Sequence, residues 1–228
     1  KNVLKCTNNL DHPYKKLFYN KLSLKQNHNI EKKLDLLRCF DPKIIDKTMA
    51  ISEYYYSQLP VNYLPSNKKI IGIQLGAQDI YKIWPVENVI ELSRYLVTMG
   101  YFLVFFGATK VENEMMLKIE KNIAVSSLCN LVCKTKIYEL PAILKRLNLL
   151  LTNDTGILHL AIAMKVRSLS LFGPTLSKEF GAYQDIKLHS HIQKNGYFVN
   201  NKPKKQRSQD GMRLISVNEV IEKIKEII

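Results

Sequence analysis

The chain has 228 residues and a formal net charge of +14, from 34 Lys and Arg against 20 Asp and Glu. Hydrophobic residues make up 46% of it, which excludes an intrinsically disordered chain because there is enough apolar surface for a core. No apolar run reaches ~18 residues, so no transmembrane helix is predicted, and no secretory signal is visible at the start. The four cysteines include no C-x-x-C pair, and we interpret them as reduced thiols of a cytosolic protein.

The positive charge has more than one interpretation. Lys accounts for 28 of the basic residues and Arg for only 6. Nucleic-acid binders usually cluster both on one face, whereas here the charge is spread along the chain. Attraction to an anionic membrane or glycolipid is the favoured alternative, and no nucleic acid is expected as a partner.

The first part of the chain predicts helices. Glycine is absent from the first 71 residues. Apolar residues between 30 and 40 follow the three-to-four spacing of a helix, and Pro42 ends the pattern. A polar stretch with two prolines at residues 60–69 is typical of a linker. We therefore predict a helical segment and linker over residues 1–66 and a second domain over 67–228.

From residue 70 onwards, short apolar runs alternate with helical patterns. The apolar runs predict strands buried on both faces, at residues 70–75, 101–106, 149–152 and 168–172, with a short further strand at 130–133. Helices are predicted between and after them, at residues 85–99, 111–121, 137–147, 156–164 and 216–228. Strands that alternate with helices predict an α/β fold, a Rossmann-like parallel sheet with helices on both faces.

Ligands of such a sheet bind beyond the carboxyl ends of the strands. The stretch N-D-T-G-I-L-H at 153–159 follows a strand and opens a helix, whose free N–H groups and positive dipole end suit a diphosphate. Gly156 permits close approach, Asp154 can accept a sugar hydroxyl, and His159 lies one turn in, on the side of Thr155. An ordinary helix cap with a partnered histidine would give the same pattern, so both interpretations stay open.

The loop after the first strand contributes a lysine and the single tryptophan. Lys82 can reach a phosphate on the neighbouring loop, although a solvated lysine is the commoner alternative. Trp84 is interpreted as a packing anchor. The sequence contains no G-x-G-x-x-G after the first strand, no G-x-x-x-x-G-K-[ST], no H-E-x-x-H and no D-x-D. His189 and His191 form an H-x-H pair without nearby carboxylates and are not expected to hold a metal.

Several motifs occur together in an order that is specific to one family. They are I-Q-L-G-A at 73–77, K-I-W-P at 82–85, F-F-G-A at 105–108, C-K-T at 133–135, N-D-T-G-I-L-H-L-A at 153–161 and L-F-G-P-T at 171–175. In these motifs the chain resembles glycosyltransferase family nine, the ADP-heptose:lipopolysaccharide heptosyltransferases and their relatives. The resemblance covers residues 70–176 well, and residues 28–42 and 211–228 more weakly.

The resemblance implies a GT-B arrangement, in which two Rossmann-like domains face each other across a cleft. This chain would be the C-terminal, donor-binding half, preceded by a helical remnant of the acceptor domain. The implied reaction is an inverting, metal-independent transfer of a sugar, heptose from ADP-heptose, to a lipopolysaccharide or related glycan. The expected partners are the nucleotide-sugar donor and a glycolipid acceptor, and the expected location is cytoplasmic with peripheral contact to the inner face of the inner membrane. No cofactor besides the donor is expected.

The resemblance also assigns roles to residues. Lys82 would stabilise the leaving diphosphate, Thr155 and Gly156 would donate backbone N–H groups to phosphate, and Asp154 would contact the sugar. The further residues expected to bind the nucleotide-sugar are Gly76, Ala77, Gln78, Thr109, Thr135 and His159. Thr109 stands where some members carry a Glu that holds the ribose.

The family's general base is an Asp near the start of its N-terminal domain, and we expect it to lie outside this chain. The chain alone would then bind the donor and transfer sugar poorly. Two alternatives remain at this stage: a nucleotide-sugar-binding module without turnover, and a basic surface-binding protein.

Overall fold

The computed structural model describes residues 28–31, 34, 48–52, 61–194 and 209–228. The chain divides into two compact units, Lys1–Lys47 and Thr48–Ile228. In the first unit residues 29–31 and 34 are helical, in agreement with the predicted helical spacing, and the rest of that pattern lies outside the described residues. The predicted domain boundary after residue 66 stays a prediction.

Six parallel strands form one sheet in the second unit, in the order β3-β2-β1-β4-β5-β6. They are β1 (Ile70–Gln74), β2 (Phe102–Phe106), β3 (Leu128–Asn130), β4 (Leu149–Asn153), β5 (Ser168–Phe172) and β6 (His189–Gln193). In this Rossmann order the chain builds outwards from β1 on one side, then crosses back to the other side of β1 at β4. The predicted fold class is therefore confirmed.

The central strands are covered on both faces. Ile73 of β1 lies opposite Phe105 of β2 and Leu151 of β4, and all three are buried. Strands in this position carry continuous apolar runs because neither face meets water, which is the pattern that predicted them.

The helices form the outer layers. They are α1 (Val86–Thr98), α2 (Lys110–Glu120), α3 (Leu140–Leu144), α4 (Gly156–Ala163), α5 (Ser177–Phe180), α6 (Asp210–Arg213) and α7 (Val217–Ile227), with 3-10 turns at Ile80–Lys82, Val125–Ser127 and Ile186–Leu188. Helices α1, α2, α6 and α7 share one apolar cluster with the sheet, and α3 and α4 pack in a second cluster against its other face. In the described ranges, no helix combines the length and apolar character that a membrane span requires.

The short strand predicted at residues 130–133 is wrong in position, because β3 ends at Asn130. The Asn130 Oδ1 atom accepts the N–H of Val132 at 3.0 Å, and Cys133 has a φ of 58°. The Asn130 side chain thus forms a turn with the backbone of Val132, and the left-handed conformation of Cys133 continues it. The chain therefore turns where the apolar residues had predicted a strand.

The helix predicted at 137–147 is much shorter, because α3 covers only Leu140–Leu144. A turn precedes it, in which the Glu139 carboxylate accepts the N–H of Lys136 at 2.6 Å. Pro141 lies in the first helical turn, where its missing N–H leaves no hydrogen bond unmade. Strand β6 was not predicted, since its sequence H-S-H-I-Q contains no apolar run.

Candidate functional site

The carboxyl ends of β1 and β4 lie side by side at the point where the strand order changes direction. In an open parallel sheet a crevice forms at this switch point, because the loops after the two strands leave towards opposite faces. The loops after β1 and β4 are the two that the sequence analysis selected. They meet at the centre of this edge.

Lys82 and Asp154 form an ion pair across the switch point. Lys82 ends the 3-10 turn after β1, and Asp154 directly follows β4. The Lys82 Nζ atom lies 2.7 Å from Oδ2 of Asp154, and the two side chains are 19% and 6% exposed. Because both groups are largely shielded from water, their attraction is screened less than that of a surface pair. Lys82 thus reaches the neighbouring loop, where a carboxylate is its partner.

The loop after β5 adds two contacts to this pair. The Thr175 hydroxyl donates to the same Oδ2 atom of Asp154, at 2.8 Å. The Phe180 ring centre lies 5.9 Å from the Lys82 ammonium, within the range of a cation–π attraction. The sequence analysis quoted Thr175 within F-G-P-T without giving it a role, and it did not select Phe180.

Helix α4 begins immediately beyond Asp154. Its N-cap is Thr155, whose hydroxyl lies 3.2 Å from that of Thr152. A Cβ atom at Gly156 would meet no atom within 4 Å, so the first turn opens to free space. The start of this eight-residue helix presents N–H groups and the positive dipole end to that space. His159 is half-buried one turn further on.

Gly76 packs directly on a buried carboxylate. A Cβ atom there would lie 2.3 Å from Oε1 of Glu112, so the first loop requires glycine at this point. Glu112 is 4% exposed. Its Oε2 atom accepts the N–H groups of Ala108 and Thr109, each at 2.8 Å, and its Oε1 atom accepts the Gln74 side-chain amide at 2.8 Å. Glu112 therefore joins the ends of β1 and β2.

The loops after β1 and β4 are also bonded to each other. The side-chain amide of Asn153 donates to the Gly76 carbonyl at 3.2 Å. The sequence analysis missed the role of Glu112, although the spacing T-x-x-E at 109–112 is the signal of a capping box and the structure contains that box. Thr109, predicted to bind the nucleotide-sugar, is the N-cap of α2.

Gln193, the last residue of β6, fastens the loop that carries Thr175. Its side-chain amide lies 3.1 Å from the Thr175 carbonyl and 3.3 Å from the Phe172 carbonyl. Its Oε1 atom accepts the N–H of Ser177 at 2.7 Å. Local sequence gives no signal for this role, because the contacts depend on the pairing of β5 with β6.

A cavity of about 310 Å³ lies beyond β3 at the same edge of the sheet. Its wall is formed by Val61, Tyr63, Leu131, Lys134, Thr135, Glu139, Ala142 and Ile143. Leu131 directly follows β3, which is two strands away from β1. Neighbouring strands are ~4.8 Å apart, so roughly 10 Å separate the two strands across the sheet. Thr135, a predicted nucleotide-sugar residue, thus lies in this wall.

The cavity wall combines apolar surface with polar side chains, among them Lys134 and Glu139. Burial raises the pKa of the Tyr63 phenol, and the nearby Cys129 and Glu139 raise it further. Burial also raises the pKa of the Cys129 thiol, against the opposing influence of Lys134. The Tyr63 phenol is therefore uncharged at pH 7, and together with the apolar part of the wall it suits an organic group held by apolar contact and hydrogen bonds.

The remaining predicted residues lie around these features. Ala77 is half-buried and Gln78 is exposed in the loop after β1. Trp84 is 2% exposed and its Nε1 atom donates to the Ile215 carbonyl at 3.0 Å, which confirms it as a packing anchor. Within the part of the chain that the structure describes, no three His, Cys, Asp or Glu side chains are grouped closely enough to hold a metal ion.

The class of protein follows from the family comparison. The model of glycosyltransferase family 9 (heptosyltransferase) matches residues 7–208. The chain therefore belongs to glycosyltransferase family 9, as the motifs had indicated.

Individual relatives agree with this assignment. A lipooligosaccharide heptosyltransferase 2 from Campylobacter jejuni is 28% identical over 182 residues, which are 74% of this chain and 53% of that protein. The lipopolysaccharide heptosyltransferase 2 of Escherichia coli is 30% identical over 117 residues, 49% of this chain and 33% of that protein. The chain thus spans about half the length of the curated relative from Campylobacter.

Solved structures share the fold. A family 9 glycosyltransferase from Veillonella parvula superposes with a TM-score of 0.72 at 24% identity, covering 90% of this chain and 61% of that one. An E. coli heptosyltransferase solved with ADP-2-deoxy-2-fluoro heptose gives a TM-score of 0.65 at 17% identity, covering 89% of this chain and 56% of that one.

Proposed function

We propose that this chain binds the nucleotide-sugar donor of a heptosyltransferase and stabilises the diphosphate that leaves during sugar transfer. One observation carries the proposal: the Lys82 ammonium, the Asp154 carboxylate and the open start of α4 meet at the switch point of the sheet. A cation and a helix N-terminus are two groups that proteins use to bind phosphate, and here they converge on one point.

The chemistry of sugar transfer explains why these groups belong together. When the bond between the anomeric carbon and the diphosphate breaks, negative charge develops on the diphosphate oxygens. Lys82 and the N–H groups at the start of α4 are placed to stabilise that charge. The proposal therefore assigns leaving-group stabilisation to this chain's own side chain and backbone, and it includes an inverting, metal-independent reaction.

The order of features along the sheet edge matches an extended nucleotide. The sugar and diphosphate lie at β4 and β1 beside Asp154 and Lys82, and the ribose lies near Thr109 at the end of β2. The base enters the cavity beyond β3, where Thr135 lies in the wall. The apolar part of that wall, with the Tyr63 phenol beside it, supports this placement of the base.

The names of the relatives support the identity of the substrates. The Campylobacter relative is a lipooligosaccharide heptosyltransferase, and one E. coli structure was solved with an analogue of ADP-heptose. We therefore propose ADP-heptose as the donor and a lipopolysaccharide or lipooligosaccharide as the acceptor. Because such acceptors are anchored in a membrane, the proposal includes a cytoplasmic location with peripheral contact to the inner face of the inner membrane.

Calorimetric titration of the 228-residue chain with ADP and with ADP-heptose tests this proposal. Lys82→Ala should weaken binding of both by about 1–3 kcal/mol, the range for a lost charge-assisted hydrogen bond. The matched control is Lys118→Ala, which removes an exposed lysine near the far end of α2 and should leave both affinities unchanged. Unchanged affinity in Lys82→Ala would refute the placement.

Two further arms address mechanism. Addition of EDTA should not alter donor affinity, and a loss of affinity on chelation would contradict metal-independent binding. An assay of heptose transfer to a lipopolysaccharide acceptor tests turnover: because the general base is expected outside this chain, we expect donor binding with little transfer, and rapid transfer by the chain alone would contradict that expectation.

A further inference from the structure

The anion site at the switch point already holds an anion of the protein itself. Oδ2 of Asp154 accepts hydrogen bonds from both the Lys82 ammonium and the Thr175 hydroxyl. Asp154 is 8% exposed and immediately precedes the N-cap of α4. Its carboxylate therefore already pairs with the lysine that the proposed function gives to the diphosphate, directly before the helix start that would bind the same group.

This arrangement sets the carboxylate against an incoming phosphate. The Lys82 ammonium lies 2.7 Å from Asp154, and its ion pair is largely shielded from water. A diphosphate that binds Lys82 has to draw the ammonium away from Asp154 or share it. In either case two anions approach each other in a partly desolvated site, where like charges repel more strongly than in water.

We infer that Asp154 is an internal competitor for Lys82 that makes the site select a nucleotide-sugar over the bare nucleoside diphosphate. This inference rests on the proposed function. When a complete donor binds, the displaced carboxylate can accept hydrogen bonds from the hydroxyl groups of the sugar, and these offset the lost contact with Lys82. A diphosphate without sugar gives no such hydroxyl, so its binding carries the full cost of the displacement.

The same competition acts after sugar transfer. The spent nucleoside diphosphate lacks the sugar, so the Asp154 carboxylate loses its hydroxyl partners and turns back to Lys82. The ion pair then forms again in the position seen here, with Thr175 directing Oδ2. Asp154 therefore discriminates against the product as well as contacting the donor.

The test is a double-mutant cycle of Asp154 and Lys82, in which Asp154→Asn is expected to tighten ADP binding rather than weaken it. Asp154→Asn keeps the shape and an oxygen for the Thr175 hydroxyl while removing the negative charge. Titration with ADP and with inorganic pyrophosphate should show about tenfold tighter binding than in the parent chain, as expected for relief of one close charge contact. The preference for ADP-heptose over ADP should fall by a similar factor.

The Lys82→Ala variant and the double variant distinguish competition for the Lys82 ammonium from simple charge repulsion between Asp154 and the phosphate. In the Lys82→Ala background there is no ammonium to compete for, so the gain from Asp154→Asn should shrink to a few-fold or less. Thermal melting checks that each variant is folded. If Asp154→Asn does not fold, Asp154→Ser removes the same charge and is expected to change ADP binding in the same direction.

The outcomes separate this inference from the proposed function. If Lys82→Ala weakens ADP binding but the folded Asp154 variant binds ADP no more tightly than the parent, the competitor role is wrong and the donor site stands. If Lys82→Ala leaves ADP and pyrophosphate binding unchanged, the proposed diphosphate site itself is wrong, and the inference fails with it. If Asp154→Asn increases ADP affinity equally with and without Lys82, Asp154 acts only by repelling the phosphate, and the inference that it competes for Lys82 is wrong.

Discussion

Truncation of Glu112 should destabilise the second unit of the chain, although this side chain lies beneath the site rather than in it. Its carboxylate is 4% exposed and accepts three hydrogen bonds, two from backbone N–H groups and one from the Gln74 amide. Hydrogen bonds to a charged group contribute about 1.5–3 kcal/mol each. The residues that carry the two backbone N–H groups, Ala108 and Thr109, are exposed, so water can replace part of what is lost. We therefore expect Glu112→Ala to lower the free energy of unfolding by about 2–3 kcal/mol.

Urea unfolding followed by the fluorescence of Trp84 measures this change directly. Trp84 is the only tryptophan and is 2% exposed, so its signal reports on the unit that contains the sheet. Glu114→Ala is the matched control, since Glu114 lies exposed on the same helix and should change the stability by no more than ~0.5 kcal/mol. Equal unfolding midpoints for the Glu112 and Glu114 variants would refute the reasoning.

A second substitution checks that Glu112 acts through its contact with the first loop. Gly76→Ala places a Cβ atom within 2.4 Å of three atoms of the Glu112 side chain, which its hydrogen bonds hold in place. Gly76→Ala alone should therefore be destabilising, whereas in the Glu112→Ala background most of that clash is absent. The two changes should be clearly less than additive. Strict additivity would show that Gly76 is restricted by something other than Glu112.

Three further predictions concern β6 and helix α7. Gln193→Ala should accelerate hydrogen exchange at Ser177 at least about fivefold, because its N–H loses its acceptor and the loop loses the contacts of the Gln193 amide, and should leave exchange in β1 unchanged. The hydrogen bond from Lys194 lowers the pKa of Glu219 to about 2. Ionised Glu219 therefore stabilises the fold at pH values above its ordinary pKa of 4.5, and this contribution disappears as the pH falls towards 2. Glu219→Gln should abolish that step in a plot of unfolding free energy against pH. Burial lowers the pKa of His189 against the opposing effect of Asp185, so the wild-type chain loses stability as the pH falls below the ordinary value of 6.5, and His189→Gln should flatten the curve in that range.

The strands that could be predicted are those with both faces buried. The residues of β1, β2, β4 and β5 are buried at almost every position because helices cover the sheet on both sides, and most of them are apolar. Strand β6 lies at the edge of the sheet, where half of its surface meets solvent or polar neighbours. Only His189 of its five residues is fully buried, so the sequence there carries neither an apolar run nor a clean alternation.

The candidate site was partly predictable for a related reason. Parallel strands bring the ends of β1 and β4 to one edge, so Lys82 and Asp154 could be expected near each other from strand order alone. The supporting residues could not be found in that way. Gln193 acts through the pairing of two strands, which local sequence does not show. The capping box marks Glu112 as a helix-start residue, but its contact with Gly76 depends on tertiary packing and has no local signal.

The position of β1 between β2 and β4 leaves one of its edges unpaired for part of the chain's synthesis. β1 is made first and pairs with β2 soon afterwards, but its other neighbour, β4, comes only after β3 and α3. At ~5–20 residues per second, the unpaired edge of the central strand stays open for several seconds on the ribosome. An apolar strand edge of this kind is a template for pairing with another chain. The strand order that creates the crevice at the switch point therefore also leaves the nascent chain open to pairing with other chains until β4 has been made.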